Sequence, residues 1–455
     1  MAEADKKGIE RKKNAGGGTK RPAREKAERK DWYKLDLSAI VYPTLQRRDF
    51  SSVYRLSVLL KEDIVPEVLQ KAVDTALPRF PTYKAAIRKG LFWRYLEPNN
   101  RPGPFVQPDV KNQCQPMYFK ANNRYLIRVY YYRNRIALEA HHSLGDGTGG
   151  MCVLQTITAV YLRLMGHEIE NGGYVLDVNE QPDKEELEDA YMKYANAKVC
   201  PPRPGEKAYR LRGTKEPFYT LNIVDGIMSV SQVMEVSRKY NATITEYLNA
   251  VLLYALLKKQ ETDWHILLKP VKIAMPVNLR RFFPSGTLRN FITMIYPGVD
   301  PRLGDYTFEE IVEQVHNYMR YYINEKFLRG DITTNAATQR NPLIRVIPLF
   351  LKDFVVKMFY TKVQDRNSSA GLTNMGAMKV PESMKPYIER FDIYMGQPFS
   401  TRTNCAIISF GDTLTINFAS GIIEADVERY FFRKLVQDGI HVKIESNREY
   451  EEESW

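Results

Sequence analysis

His141-His142-Ser143-Leu144-Gly145-Asp146-Gly147 decides how this 455-residue chain is read. Two adjacent histidines, of six in the chain, are followed by Asp-Gly in the pattern HHxxxDG. The apolar run 135–140 that leads in has strand character, and a glycine-rich turn leads out into a helical pattern over 148–164. A strand that ends in a tight loop and hands over to a helix is a common mount for reactive groups. The residue types suit chemistry. An imidazole accepts a proton near neutral pH, a carboxylate fixes geometry by pairing with a cation, and glycine lets backbone approach a ligand closely. Adjacent strand residues point to opposite faces, so His141 and His142 cannot both reach one ion, and a single member of the pair faces a given site. Cys114, Cys152, Cys200 and Cys405 are far apart and no Cys/His spacing suggests zinc, so no metal is expected.

Working outward, 52–60 reads as a strand, and 62–77 as a helix with Pro66 in its first turn and Val65, Leu69, Ala72, Val73 and Ala76 on one stripe. Segments 91–96 and 125–132 read as strands. A polar, acidic and proline-rich stretch over 172–217, with Pro201-Pro-Arg-Pro204 inside it, reads as a crossover linker. The same order of elements then restarts. Strand 218–224 leads to a helix opened at Ser229, and a second helix spans 245–259. Segment 271–275 is an apolar strand, and Thr307 caps a helix running to about Phe327. A hairpin turns at Gly411-Asp412, and 425–436 is a final helix. The expected architecture is α+β: a basic arm over 1–30, a first lobe over 31–171, a linker over 172–217 and a second lobe over 218–455.

The length is too great for one compact core, and 44% hydrophobic residues exclude global disorder. Residues 1–30 hold eleven Lys/Arg and five acids, a net +6 and half of the chain's +12. They read as a solvated basic arm, with attraction to a coenzyme phosphate, a membrane surface or a nucleic acid as the sharper alternative. No nucleic-acid-binding motif is present, so no nucleic acid is expected. The first thirty residues lack an apolar core, and reduced thiols in the cytoplasm are the simplest expectation. The greasiest stretch, 343–360, is interrupted by Arg345, Pro348, Lys352, Asp353 and Lys357 and falls short of a membrane span. It reads as a buried or half-buried helix; contact with a membrane, or the lining of a lipid tunnel, is the alternative.

HHxxxDG resembles the active-site signature of the coenzyme-A-dependent acyltransferases with the chloramphenicol-acetyltransferase-like fold. That superfamily includes alcohol acetyltransferases, plant hydroxycinnamoyl-type transferases, polyketide-associated acyltransferases and peptide-synthetase condensation domains. The chain looks most like the stand-alone alcohol acetyltransferases. The resemblance implies two lobes with an active-site channel between them. It makes His142 the general base and His141 a structural neighbour, puts the Gly147 amide near the reacting carbonyl, and gives Asp146 an architectural role. Val277-Asn278-Leu279-Arg280 matches the family's V-[DN]-x-R element; by resemblance Arg280, supported by Asn278, pairs with Asp146 and holds the loop. Asn290-Phe291 resembles a position on a channel-lining strand, and Gly371-Leu-Thr-Asn374-Met-Gly376 a turn near the site, which makes Asn290 and Asn374 channel candidates. Asp392-Ile-Tyr-Met-Gly396-Gln-Pro398 keeps three residues of the plant enzymes' DFGWGKP but lacks its first glycine and second aromatic, which leaves this loop a structural role. His167, His265, His316 and His441 are isolated and are set aside.

The implied activity is transfer of an acyl group, acetyl first, from acyl-CoA to an alcohol or amine, without an acyl-enzyme. Acetyl-CoA is then a co-substrate and no cofactor is held. No G-x-S-x-G elbow is present, which disfavours an α/β-hydrolase. The competing expectations are a condensation-type enzyme fed by a carrier protein, a non-catalytic binding protein of the same fold, and an adaptor acting through residues 1–30.

Overall fold

A computed structural model of the chain describes residues 32–47, 50–196, 206–263, 267–362, 367–396 and 401–448. The basic arm, Cys200, Pro201–Pro204, His265 and Pro398 lie outside the described residues.

Two sheets carry the structure. The first orders its strands Ile388–Met395, Val53–Leu60, Arg135–His141, Ile127–Tyr132 and Val106–Pro108. Helices Pro66–Ala76 and Gly147–Leu164 cover it, and Leu56, Val58, Leu138, Leu69, Val73, Met151 and Leu154 share one core. From Gly149 to Leu162 every residue of the second helix is buried. It is therefore a core helix, which explains why its sequence is apolar on all faces. The second sheet runs Ile292–Ile295, Val271–Asn278, Ala370–Ala377, Thr403–Phe410, Thr413–Ser420, Asn222–Ser229 and Lys443–Ser446, with Gly298–Val299 beside Val271–Asn278. Helices Ile244–Thr262, Phe308–Tyr322 and Asp426–Gln437 pack on it around Val251, Leu252, Ile273, Ile416 and Phe431. A small third sheet joins Tyr33–Lys34, Arg94–Pro98 and Ala85–Lys89. The chain is α+β with two lobes.

The division at 218 does not separate the lobes cleanly. Strand Ile388–Met395 leaves the second half of the sequence and pairs antiparallel with Val53–Leu60 as the edge of the first sheet. It also packs on the second sheet, where the Thr415 hydroxyl donates to the Phe391 carbonyl at 3.0 Å and the Tyr394 hydroxyl to Asp225 at 2.9 Å. Burial, and then the charge of Asp392, push the Asp225 carboxyl up. This strand therefore fastens the lobes together through buried polar bonds, in keeping with the structural role read for the Asp392 loop.

Three local expectations are corrected. The helix starting at Thr307 ends at Tyr322. The Asn324 carboxamide then accepts from the Phe327 amide at 3.0 Å and caps a new helix, Glu325–Arg340. The segment 370–377 is a strand, with a register shift after Asn374, where a turn was expected. The stretch 343–360 falls in two helices, Pro342–Arg345 and Leu349–Lys362, and Leu343, Val346, Phe350, Leu351, Phe354, Val355 and Met358 are exposed rather than buried. Among the described residues no helix is long and apolar enough to cross a membrane.

Candidate active site

The strand Arg135–His141 delivers the two histidines to its end, and alternation sends them to different places. His141 is fully buried; its Nδ1 accepts from the Ser143 amide at 3.2 Å and its ring meets Phe119 edge-on. Its Nε2 is buried without a partner, and burial, then the neighbouring His142, lower its pKa to about 3. His142 lies between two tyrosines, stacked on Tyr42 at 4.8 Å and tilted against Tyr54 at 4.6 Å. Its Nδ1 is buried with no hydrogen-bond partner. Burial lowers its pKa to about 4, while the Asp146 carboxylate and the Asn290 side chain pull the other way. Both imidazoles are therefore neutral at physiological pH. A neutral imidazole carries a lone pair on one of its two ring nitrogens and can take a proton there.

The loop that follows is fixed by Asp146. As the N-cap of helix Gly147–Leu164, its carboxylate accepts from the amides of Thr148 at 3.1 Å and Gly149 at 3.3 Å. The same carboxylate accepts from Arg280 at 2.8 and 3.3 Å and from the Phe291 amide at 2.9 Å. Arg280 spends its other donors on the carbonyls of Thr287 and Arg289. Asn278 caps the short turn 279–281 and holds both Arg280 and the Thr148 hydroxyl. The guanidinium at Asp146 is thus that of Arg280 and not Arg281. A charge pair this deeply buried holds because each group is also hydrogen-bonded elsewhere.

Glycines let the loop come this close. A methyl on Gly149 would fall 2.7 Å from the Tyr83 hydroxyl and nearer still to the Leu288 carbonyl oxygen. On Gly147 it would meet only the end of the Met375 side chain, at 2.8 Å from sulfur.

Asn290 precedes the strand Ile292–Ile295. Its amide donates to the His142 carbonyl at 2.8 Å and to Asp36 at 3.0 Å, and its buried Oδ1 has no partner. Asn374 sits farther off, donating to the Thr245 hydroxyl at 2.9 Å, while its neighbour Met375 lies against Gly147. Sequence reading missed the segment that covers the site. Asp36 binds Asn290 and approaches Arg289 at 3.7 Å, Ser38 meets the Tyr191 hydroxyl at 2.8 Å, and Tyr42 stacks on His142. This stretch has no regular element longer than the single turn Tyr42–Leu45, so no periodicity advertises it. Tyr54 was hidden for another reason: every residue of its strand is buried, and alternation is lost. Among the described residues no cluster of three or more His, Cys, Asp or Glu could hold a metal.

Compared with known proteins, the chain matches no family model and no curated sequence. Solved structures do match. The trichothecene 15-O-acetyltransferase from Fusarium sporotrichioides aligns with a TM-score of 0.56 at 13% identity, over 89% of this chain and 94% of that one. The starter condensation domain of rhizomide synthetase, in complex with C8-CoA and Leu-SNAC, gives 0.55 at 12%, over 90% and 94%. The chain has the two-lobed fold of the CoA-dependent acyltransferases and condensation domains. The wax ester synthase/diacylglycerol acyltransferase from Marinobacter aquaeolei shares it too, with a TM-score of 0.52 at 12% identity over 89% of this chain and all of that one. At these identities the likeness speaks for the fold alone.

Because the Gly149 clash is with backbone, Gly149→Ala is expected to cost about 1–3 kcal/mol of stability, read as a lower denaturation midpoint. Gly147→Ala, which displaces only a flexible thioether, should cost less. Equal midpoints for the two variants would mean that the loop does not pack as described.

Proposed function

We propose that the protein transfers an acyl group from an acyl-CoA thioester to an alcohol. The observation that carries this reading is the state of His142: a neutral imidazole held between Tyr42 and Tyr54, on a loop locked by a buried ion pair, where residues of both lobes meet. The neighbours sharing the fold supply the class of chemistry. One is named an acetyltransferase, one an acyltransferase, and one was solved with an acyl-CoA. In the proposed reaction His142 takes the proton of the acceptor hydroxyl as its oxygen attacks the thioester carbonyl. Collapse of the tetrahedral adduct breaks the carbon–sulfur bond, and the imidazolium returns the proton to the departing thiolate. No acyl-enzyme forms. The Gly147 amide, one residue beyond Asp146 at the start of a helix, is assigned to the developing oxyanion. Asp146, Arg280 and Asn278 hold the loop, and Asn290 holds the His142 backbone. His141 keeps the turn through Ser143. Acetyl-CoA is the first donor to test. A carrier-bound donor is the second reading, supported by the condensation domain solved with Leu-SNAC.

The test is acceptor-dependent thiol release from acetyl-CoA and longer acyl-CoAs. His142→Ala is expected to lose about 10²–10⁴ in rate; unchanged release would remove His142 from the mechanism. Release with a carrier-bound thioester but with no acyl-CoA would select the second reading.

The pH dependence follows from the lowered pKa of His142. The neutral form is the base, so activity is present above the folded-state pKa and is lost as pH falls through about 4. The rate should be level between about pH 6 and 8, with the fold monitored by circular dichroism. An inflection near the ordinary histidine value of 6.5 would contradict the burial described here.

A further inference from the structure

Helix Leu349–Lys362 is built inside out. Phe350, Leu351, Phe354, Val355 and Met358 recur at i, i+1, i+4, i+5 and i+8, one stripe of a helix, and all five are exposed. Phe350 is 70% and Phe354 68% accessible. The face turned to the protein carries the polar residues instead. Asp353 accepts from Arg94 at 2.8 Å and from the Thr44 hydroxyl at 2.9 Å, and the Lys352 amine donates to the carbonyls of Phe92 at 2.9 Å and Arg345 at 3.1 Å. The outward stripe is therefore fixed by bonds on the inner face and is not a free rotation of the helix. The apolar surface continues on both sides. In the preceding turn, Leu343 is 75% exposed and Val346 is exposed beside it. The loop holding exposed Leu91 and Trp93 is bonded to the helix through Leu349. A contiguous patch of this kind marks an interaction surface.

We propose that this face docks on a phospholipid surface bearing anionic headgroups. Three observations select that occupant. Among the described side chains the stripe offers no hydrogen-bonding group to set the register of a protein partner, whereas a bilayer interface asks for apolar area. The charge around it is positive: Arg340, Arg345 and Lys357 are exposed between 340 and 358, and the single acid there, Asp353, is engaged with Arg94 on the inner face. A second copy of the chain would bring these cations together, while anionic headgroups attract them. By sequence, residues 1–30 carry a net +6, a charge that anionic lipid attracts. Aromatic Trp32 and Trp93, both exposed, suit the headgroup level. The face also abuts the site. Asp353, on the inner face of the helix, binds Thr44 in the buried turn Tyr42–Leu45, whose Tyr42 stacks on His142, so the docking helix is bonded directly to the segment that covers the site.

The test is flotation of the full chain with vesicles of phosphatidylcholine alone and with 30% phosphatidylglycerol. Wild type is expected to float with the anionic vesicles, less so as salt rises. The triple variant Phe350→Ser, Phe354→Ser, Val355→Ser should bind about tenfold or more weakly. These three side chains are exposed and lie outside the candidate site, so thiol release from water-soluble donor and acceptor should be unchanged in the variant. Flotation needs no turnover, so its result stands whether or not acyl transfer is found. Equal flotation of wild type and variant would overturn the proposal. So would an absence of wild-type flotation, including the case in which the variant abolishes a concentration-dependent dimer or capture of an acidic carrier protein.

Discussion

The contact between Asp146 and Arg280 is the constraint on which the candidate site depends. One carboxylate does three jobs: it caps the buried helix Gly147–Leu164, receives a guanidinium from the far side of the lobe junction, and accepts the Phe291 amide. Each would be ordinary alone. Together they bring residues about 130 positions apart in sequence to hydrogen-bonding distance, and they leave the loop after His142 almost no freedom. Removing either charge would strand the other in a site with little water, so the pair acts as a latch with a large penalty for opening.

The chemistry of His142 follows from what closes over it. Tyr42 and Tyr54 pack on the imidazole, and the desolvation that results favours the neutral form. The segment 36–45 that supplies Tyr42 is itself held by Asn290, Tyr191 and Asp353. The base, its cover and the outward-facing helix Leu349–Lys362 are therefore linked through short bonds rather than through a flexible tether.

Much of this was legible in the sequence for a physical reason. The hairpin at Gly411-Asp412, the helix read over 245–259 and the helix read over 148–164 are local patterns with a turn signal or a period. Alternation along a strand separated His141 from His142, and the resemblance pointed to Arg280. What was not legible is non-local or unperiodic. The pairing of Ile388–Met395 with Val53–Leu60 joins segments over 300 residues apart, and no local rule encodes it. Asp36 and Tyr42 lie in a stretch without repeating structure. Segment 343–360 misled because hydropathy counts apolar residues without knowing which face they occupy: Lys352 and Asp353, read as interruptions of a buried helix, are the residues that hold it to the protein.

The most direct measurement is a double-mutant cycle on the latch, with Asp146→Asn, Arg280→Met and the double variant compared by denaturant unfolding and by thiol release. Each single change is expected to cost about 3–5 kcal/mol. The double variant should be no less stable than the less stable single, which leaves a coupling of at least about 3 kcal/mol. Strictly additive losses would show that the two residues act independently and that the loop carrying His142 is held by something else.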